Sequence, residues 1–141
     1  TEGWAHYTEE MMLETKYGDG QPRMLLTQLL EALVRNCRYM CSLWMHTEGM
    51  TLDEATRFFM ENAYMANLPA RREALRGTFD PGYLNYTLGK LMILKLREDF
   101  KREQGSAYSL KTFHDRLLSF GGPAIPLLRP ALLREPSGSA L

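Results

Sequence analysis

Apolar residues recur every three or four positions along most of this chain, and one stretch constrains the fold more than any other: Leu26, Leu30, Leu33, Cys37, Met40 and Trp44. That stripe lines a single face of a helix for about five turns, whereas a strand would throw its members alternately to opposite faces. Pro22 is suited to the opening turn of this second helix. No other segment alternates with period two between turn signals, and no 20-to-50-residue unit repeats. The expected fold is therefore all-α, a single bundle of about five to six helices with one core, since 141 residues is the size of one domain.

The remaining elements follow from the same spacing and its punctuation. Gly3 to Tyr17 reads as a first helix, with Trp4, Tyr7, Met11 and Glu14 in step until Gly18-Asp19-Gly20 breaks the pattern. Thr51 and Glu54 form a Thr-x-x-Glu capping box ahead of Leu52, Ala55, Phe58, Phe59, Ala63 and Met65, predicting a third helix that ends near Asn67. A short basic helix is expected from Pro69 to Arg76, stopped by Gly77. Asp80-Pro81 supplies an N-cap and a first-turn proline for a long helix reaching about Gln104. Its core stripe is read as Leu84, Leu88, Met92, Leu96 and Phe100, which leaves Tyr83, Tyr86 and Lys90 on the polar side. Ser109 opens a helix carrying Phe113, Leu117 and Phe120, closed by Gly121-Gly122, and Pro123 to Leu133 forms a last short turn or two. Residues 1–133 are expected to be the helical segment and 134–141 a flexible tail.

Composition excludes some partners. Seventeen Lys plus Arg balance seventeen Asp plus Glu, so no net field draws the chain to nucleic acid. The purely apolar runs, such as Leu91 to Leu94, fall far short of the roughly 20 residues that cross a bilayer, so no membrane span is expected. The chain opens on Thr1 with no basic-then-apolar leader, which predicts a cut inside a longer coding sequence, with any signal peptide upstream and the compartment undetermined. Cys37 and Cys41, one helical turn apart, are read as buried free thiols; the alternative is a soft metal pair, although no second Cys/His pair lies nearby. The nine Met fill irregular core space.

No His-Glu-x-x-His, Gly-x-Ser-x-Gly or phosphate-loop pattern occurs, so the chain alone encodes no complete active site. Three groups of residues still carry possible chemistry. Glu2 opens the first helix beside the small Gly3 and Ala5, leaving its carboxylate room for close approach, and His6 lies one turn further on. The plainer alternative is a first-turn acid stabilised by the helix dipole, with a partly buried histidine. Tyr83 and Tyr86 share a face with Lys90, and Gly89 breaks good helix practice at a cost of about 1 kcal/mol, leaving space for a close helix contact or a substrate. Gln28, Glu31, Arg35, Arg38, Ser42 and His46 run along one side of the second helix. A solvated polar face is one reading; a side turned to further protein, where Arg35 or Arg38 grips a substrate carboxylate, is the other. His114-Asp115 reads as a packing pair in which the carboxylate orients the imidazole.

The segment Thr1-Glu2-Gly3-Trp4-Ala5-His6-Tyr7-Thr8-Glu9-Glu10 resembles the Glu-Gly-Trp-Ala-x-Tyr motif of the bacterial family of domain of unknown function 885, whose members look like zinc metallopeptidases of the gluzincin type. The resemblance continues in order through Arg35-x-x-Arg38, His46-x-x-Gly49-Met50-Thr51-x-x-Glu54-Ala55, Pro81-Gly82-x-x-x-Tyr86-x-x-Gly89-Lys90 and Phe113-His114-Asp115-x-x-Leu118-x-x-Gly121. It implies that Glu2 is the third zinc ligand, that Tyr86 is a catalytic phenol, and that a helix bearing the two ligand histidines lies upstream of Thr1. It implies further that Arg35, Arg38 and Tyr83 bind a peptide substrate, while His6, His114 and Asp115 support or pack. Ser42 departs from the resemblance, since many members carry an acid there. The implied partners are the missing N-terminal part and the peptide; zinc belongs to the intact parent, with no complete site in this chain. An apolar face left uncovered along Trp4, Tyr7 and the second-helix stripe would favour self-association. The rival reading is a non-catalytic helical scaffold or interaction module.

Overall fold

The computed structural model describes residues 1–134 and 139–141, so half of the segment expected to be a flexible tail, 135–138, lies outside the described residues. The chain is 80% helical without strands among the described residues, and it has seven α-helices where the sequence suggests five to six. They are α1 (Glu2–Glu14), α2 (Pro22–Thr47), α3 (Leu52–Asn62), α4 (Asn67–Gly77), α5 (Asn85–Gln104), α6 (Leu110–Ser119) and α7 (Ile125–Leu132). Short 3₁₀ turns lie at Tyr17–Gly20, Pro81–Leu84 and Gly105–Ala107. No helix among the described residues is long and apolar enough to cross a membrane.

Local signals set most of the ends. The Thr51 hydroxyl accepts from the Glu54 backbone N–H while the Glu54 carboxylate accepts from the Thr51 N–H, completing the capping box of α3. Ser109 caps α6 by accepting from the Thr112 N–H. Three boundaries differ from expectation. Helix α1 stops at Glu14 because Lys16, Gly18, Asp19 and Gly20 all adopt positive φ, which reverses the chain before α2. Helix α3 ends at Asn62, and α4 already begins at Asn67, with Pro69 inside its first turn, where a missing N–H costs nothing. Asp80 makes no side-chain cap; its carboxylate accepts from Arg76 instead, and Pro81 starts a 3₁₀ turn rather than α5 itself.

Two apolar clusters form where the sequence suggests one core. The first joins α1, α5, α6 and α7 through Tyr7, Leu96, Phe100, Phe113, Leu117 and Leu132. The second joins α2, α3 and α4 through Cys37, Cys41, Ala55, Phe59, Ala70 and Ala74, whose alanines let α3 and α4 approach closely. Both cysteines are free and buried as expected, and burial pushes their thiols up to about 11 for Cys37 and about 12 for Cys41, leaving them inert. The first two turns of α2 belong to neither cluster. Leu25, Leu26, Leu29 and Leu30 stay 41–58% exposed, and the stripe that demands a helix meets the second cluster from Leu33, with Cys37 its buried member.

Helix α1 crosses α5 backbone to backbone. A Cβ added at Gly89 would fall 2.8 Å from the Gly3 Cα, and one added at Gly3 would fall closer still to Gly89. The packed side of α5 and the turn before it is broader than expected: Leu96 and Phe100 of the expected stripe are fully buried, and residues expected on the polar side are covered as well. Tyr83 is 1% exposed and Lys90 is mostly covered, whereas Leu91 is 44% exposed.

Because backbone cannot yield as a side chain does, Gly89→Ala should destabilise the fold by about 1–3 kcal/mol in urea unfolding even though alanine is the better helix former. Gly122→Ala, with nothing within 4 Å of its added Cβ, should change stability by less than about 0.5 kcal/mol.

Candidate functional site

From Arg35 onward the polar side of α2 forms the seam between the two clusters, and its groups find partners on other elements. Nearer the amino end, Glu31 is exposed and pairs with Arg35 on the same helix, and the Gln28 side-chain nitrogen is without a hydrogen bond. The Ser42 hydroxyl donates to the Pro81 carbonyl at 2.7 Å, and His46 Nε2 lies 2.9 Å from the Gly77 carbonyl oxygen. Thr87 donates to the Asn36 side-chain oxygen at 3.1 Å. Arg38 grips Glu73 of α4 through Nε and Nη2, both at 2.7 Å, and this pairing raises the guanidinium pKa above its ordinary value. Arg35 donates to Glu9 of α1 at 2.8 Å.

Tyr86 sits against both arginines. The Arg35 and Arg38 guanidinium carbons lie 5.8 and 5.6 Å from its ring centroid, so its π-face meets two cations. Arg38 is held by its carboxylate fork, whereas Arg35 keeps Nε and Nη1 without a hydrogen bond. Both arginines expected to bind substrate are thus engaged inside the protein, Arg38 by Glu73 and Arg35 by Glu9 and, at 3.8 Å from Nη1, by Glu31, and the unbonded Arg35 nitrogens are buried. Tyr83, expected on the same substrate side, is enclosed between Gly77, Met45 and Arg76, with burial pushing its phenol pKa well up. A substrate cannot reach it without opening the core.

Glu2 stands exposed in the first turn of α1, at the rim of a cleft of about 800 Å³ between α1, α5 and the α6–α7 connection. His6, one turn along, does not join it. Its ring is 1% exposed and its Nδ1 lies 3.3 Å from Glu9, so His6 belongs to the seam through Glu9 and Arg35. Burial first, then Lys90, depresses its pKa below the ordinary 6.5. Among the described residues no three His, Cys, Asp or Glu side chains gather to hold a metal ion. Glu2 is a carboxylate open to a cation, but one oxygen donor group falls short of the three protein ligands of a catalytic zinc. The donors in this chain do not make a zinc site by themselves, and no chemical step through a metal follows from them.

His114 takes a different partner from the one its neighbour suggests. Asp115 pairs with Lys111 on the surface, while His114 Nε2 lies 2.7 Å from the Tyr7 hydroxyl. Tyr7 is also reached by Arg97 at 3.3 Å, and Arg97 is itself clamped by Glu14. Tyr7, expected on an uncovered face, is 1% exposed. This second network pins α1 to α5 and α6. Glu9, Glu73, Asn36 and Arg97 are absent from the sequence-derived candidates. Glu9 carried one usable signal, its i,i+3 relation to His6; Glu73 carried none, since its partner lies 35 positions away on another helix.

With the geometry in place, comparison with known proteins is informative. The family model described as bacterial protein of unknown function DUF885 matches residues 1–132. The chain belongs to the DUF885 family. No curated protein matches it. Its fold is similar to a solved structure from Shewanella oneidensis, described as a "putative lipoprotein of unknown function", with 31% identity and a TM-score of 0.87 over 94% of this chain. The chain spans 24% of the length of that protein.

His6 and His114 both have folded-state pKa values depressed by burial, so neutral imidazole is the form the fold favours. Their stabilising contribution is complete above the unfolded value near 6.5 and is lost as pH falls through the lower folded values. Thermal unfolding should show a lower Tm at about pH 5.5 than at about pH 7.5, and His6→Gln or His114→Gln should flatten that dependence.

Proposed function

We propose that this chain is the C-terminal helical part of a zinc-dependent peptidase, supplying Glu2 as the third zinc ligand and Tyr86 as a hydrogen-bond donor to the reacting carbonyl. The observation that carries this reading is the α1–α5 crossing. Gly3 touches Gly89, so Glu2 and Tyr86, one residue and three residues away along their helices, both lie within a turn of the same contact. The order of the motifs from Glu2-Gly3-Trp4-Ala5 to Pro81-Gly82-x-x-x-Tyr86 supports it as well.

Glu2 would hold the zinc together with two histidines from elsewhere in the parent, and the metal would supply Lewis acidity and an activated water for attack on a peptide carbonyl. The chain's own residues do the rest. The small Gly3 leaves the Glu2 carboxylate approachable in the first turn of α1. Tyr86 donates its phenolic proton in a hydrogen bond to the oxygen that gains negative charge, and the two guanidiniums on its ring add positive potential there. Arg35, paired with Glu9 and Glu31, places its positive charge beside the Tyr86 ring rather than reaching a substrate directly. Arg38, fixed by Glu73, is a positioning residue for the ring. The histidine ligands come from outside these residues, so the chain alone hydrolyses nothing. The scaffold alternative requires a parent protein with no His-Glu-x-x-His upstream.

In the intact parent, Glu2→Ala should lower zinc content and abolish peptide hydrolysis, while Tyr86→Phe should keep zinc and slow turnover by roughly 10- to 1,000-fold. Metal analysis alongside a peptide-hydrolysis assay separates the two effects. Unchanged zinc content in the Glu2→Ala parent would end the ligand assignment.

A further inference from the structure

Glu2 is the single charged side chain among the residues lining the cleft of about 800 Å³. The walls are Leu88, Met92, Ile93, Leu117, Leu118 and Leu128. Ile93, Leu117 and Leu128 also belong to the α1–α5–α6–α7 core, so the deep wall is fixed by packing before any ligand arrives. Leu118, 51% exposed, stands at the rim. Asn85, Thr1 and the Trp4 indole are the other lining side chains with hydrogen-bonding groups, enough to orient one polar segment of a ligand. A preformed apolar wall with one carboxylate at its edge accepts a neutral apolar group. It rejects an anion, which would be both desolvated and repelled.

We propose that this cleft is a specificity pocket, receiving a large uncharged side chain of a peptide, aromatic or leucine-like, beside the bond to be cleaved. The assignment rests on the peptidase reading: if Glu2 holds the metal, the reacting carbonyl lies at the cleft mouth, and the neighbouring side chain has the apolar wall within reach. Acidic residues are excluded from that position.

The pocket is testable without metal, on the 141-residue chain itself. Titration with N-acetyl-phenylalaninamide and N-acetyl-leucinamide, followed by methyl nuclear magnetic resonance, should shift Leu88, Met92 and Leu118. N-acetyl-serinamide should bind at least about 10-fold more weakly, the order of discrimination an apolar pocket gives. N-acetyl-aspartamide should be weaker again. Leu118→Asp, at a half-exposed rim position, should weaken the phenylalanine amide by about 10-fold with unchanged circular dichroism. Met92→Trp, which fills the cleft, should act in the same direction. Absence of methyl shifts at these residues, or equal binding of the serine and aspartate amides, would overturn the pocket. Selective binding here together with unchanged zinc in the Glu2→Ala parent would retain the pocket and remove the peptidase reading, so the two fail separately.

Discussion

The contact between Gly3 and Gly89 is the constraint on which the rest of the arrangement depends. With no Cβ on either side, α1 and α5 meet at backbone distance, and that spacing leaves little freedom in how the two helices are placed. Glu2 is carried to the rim of the cleft, Tyr7 is delivered between His114 and Arg97, and Glu10 is brought against Lys90. A bulkier pair at the crossing would push the helices apart and release each of these contacts together.

The seam between the two apolar clusters follows from that placement. Arg35, Arg38, Glu9, Glu73 and His6 are half-buried or more, and charges in such a position are tolerated because each meets an opposite partner or a hydrogen bond. The balance of charge along the chain is thus local as well as overall. Tyr86 lies among these cations rather than in the apolar core, which keeps a phenol close to both a rigid helix and a polar surrounding. The cleft lined by α1, α5 and the α6–α7 connection offers the opposite environment, a wall almost without charge. A single helix crossing thus borders both a polar and an apolar surrounding.

Much of the secondary structure is legible in the residues. The α2 stripe, the Thr51–Glu54 box and the Ser109 cap are signals within one or two turns, and each appears where its spacing places it. The burial of α5 was harder to read. Its leucines and its Tyr83, Tyr86, Lys90 row both have helical spacing, and hydrophobicity favoured the leucine row as the inner face. The packed side includes Leu96 and Phe100 of that row and, in addition, Tyr83 and Lys90, because Gly89 sets where α1 lies and α2 offers partners to the tyrosines. His114 shows the same limit: the adjacent Asp115 was the nearest partner in sequence, yet the imidazole turns to a phenol 107 positions away.

Periodicity, capping residues and the Glu2, Arg35, Arg38 and Tyr86 motifs determined the all-helical class, the approximate helix ends and the residues worth examining, because each depends on neighbours a few positions apart. Tertiary structure alone decided that the polar face of α2 is an internal seam from Arg35 onward, that Arg38 is engaged by Glu73 and Arg35 by Glu9, and that Tyr83 is sealed while Glu2 is open. A row of charged residues has the same local sequence whether it faces water or a neighbouring helix. The choice between them is made by long-range packing, through which distant helix brings the matching charge.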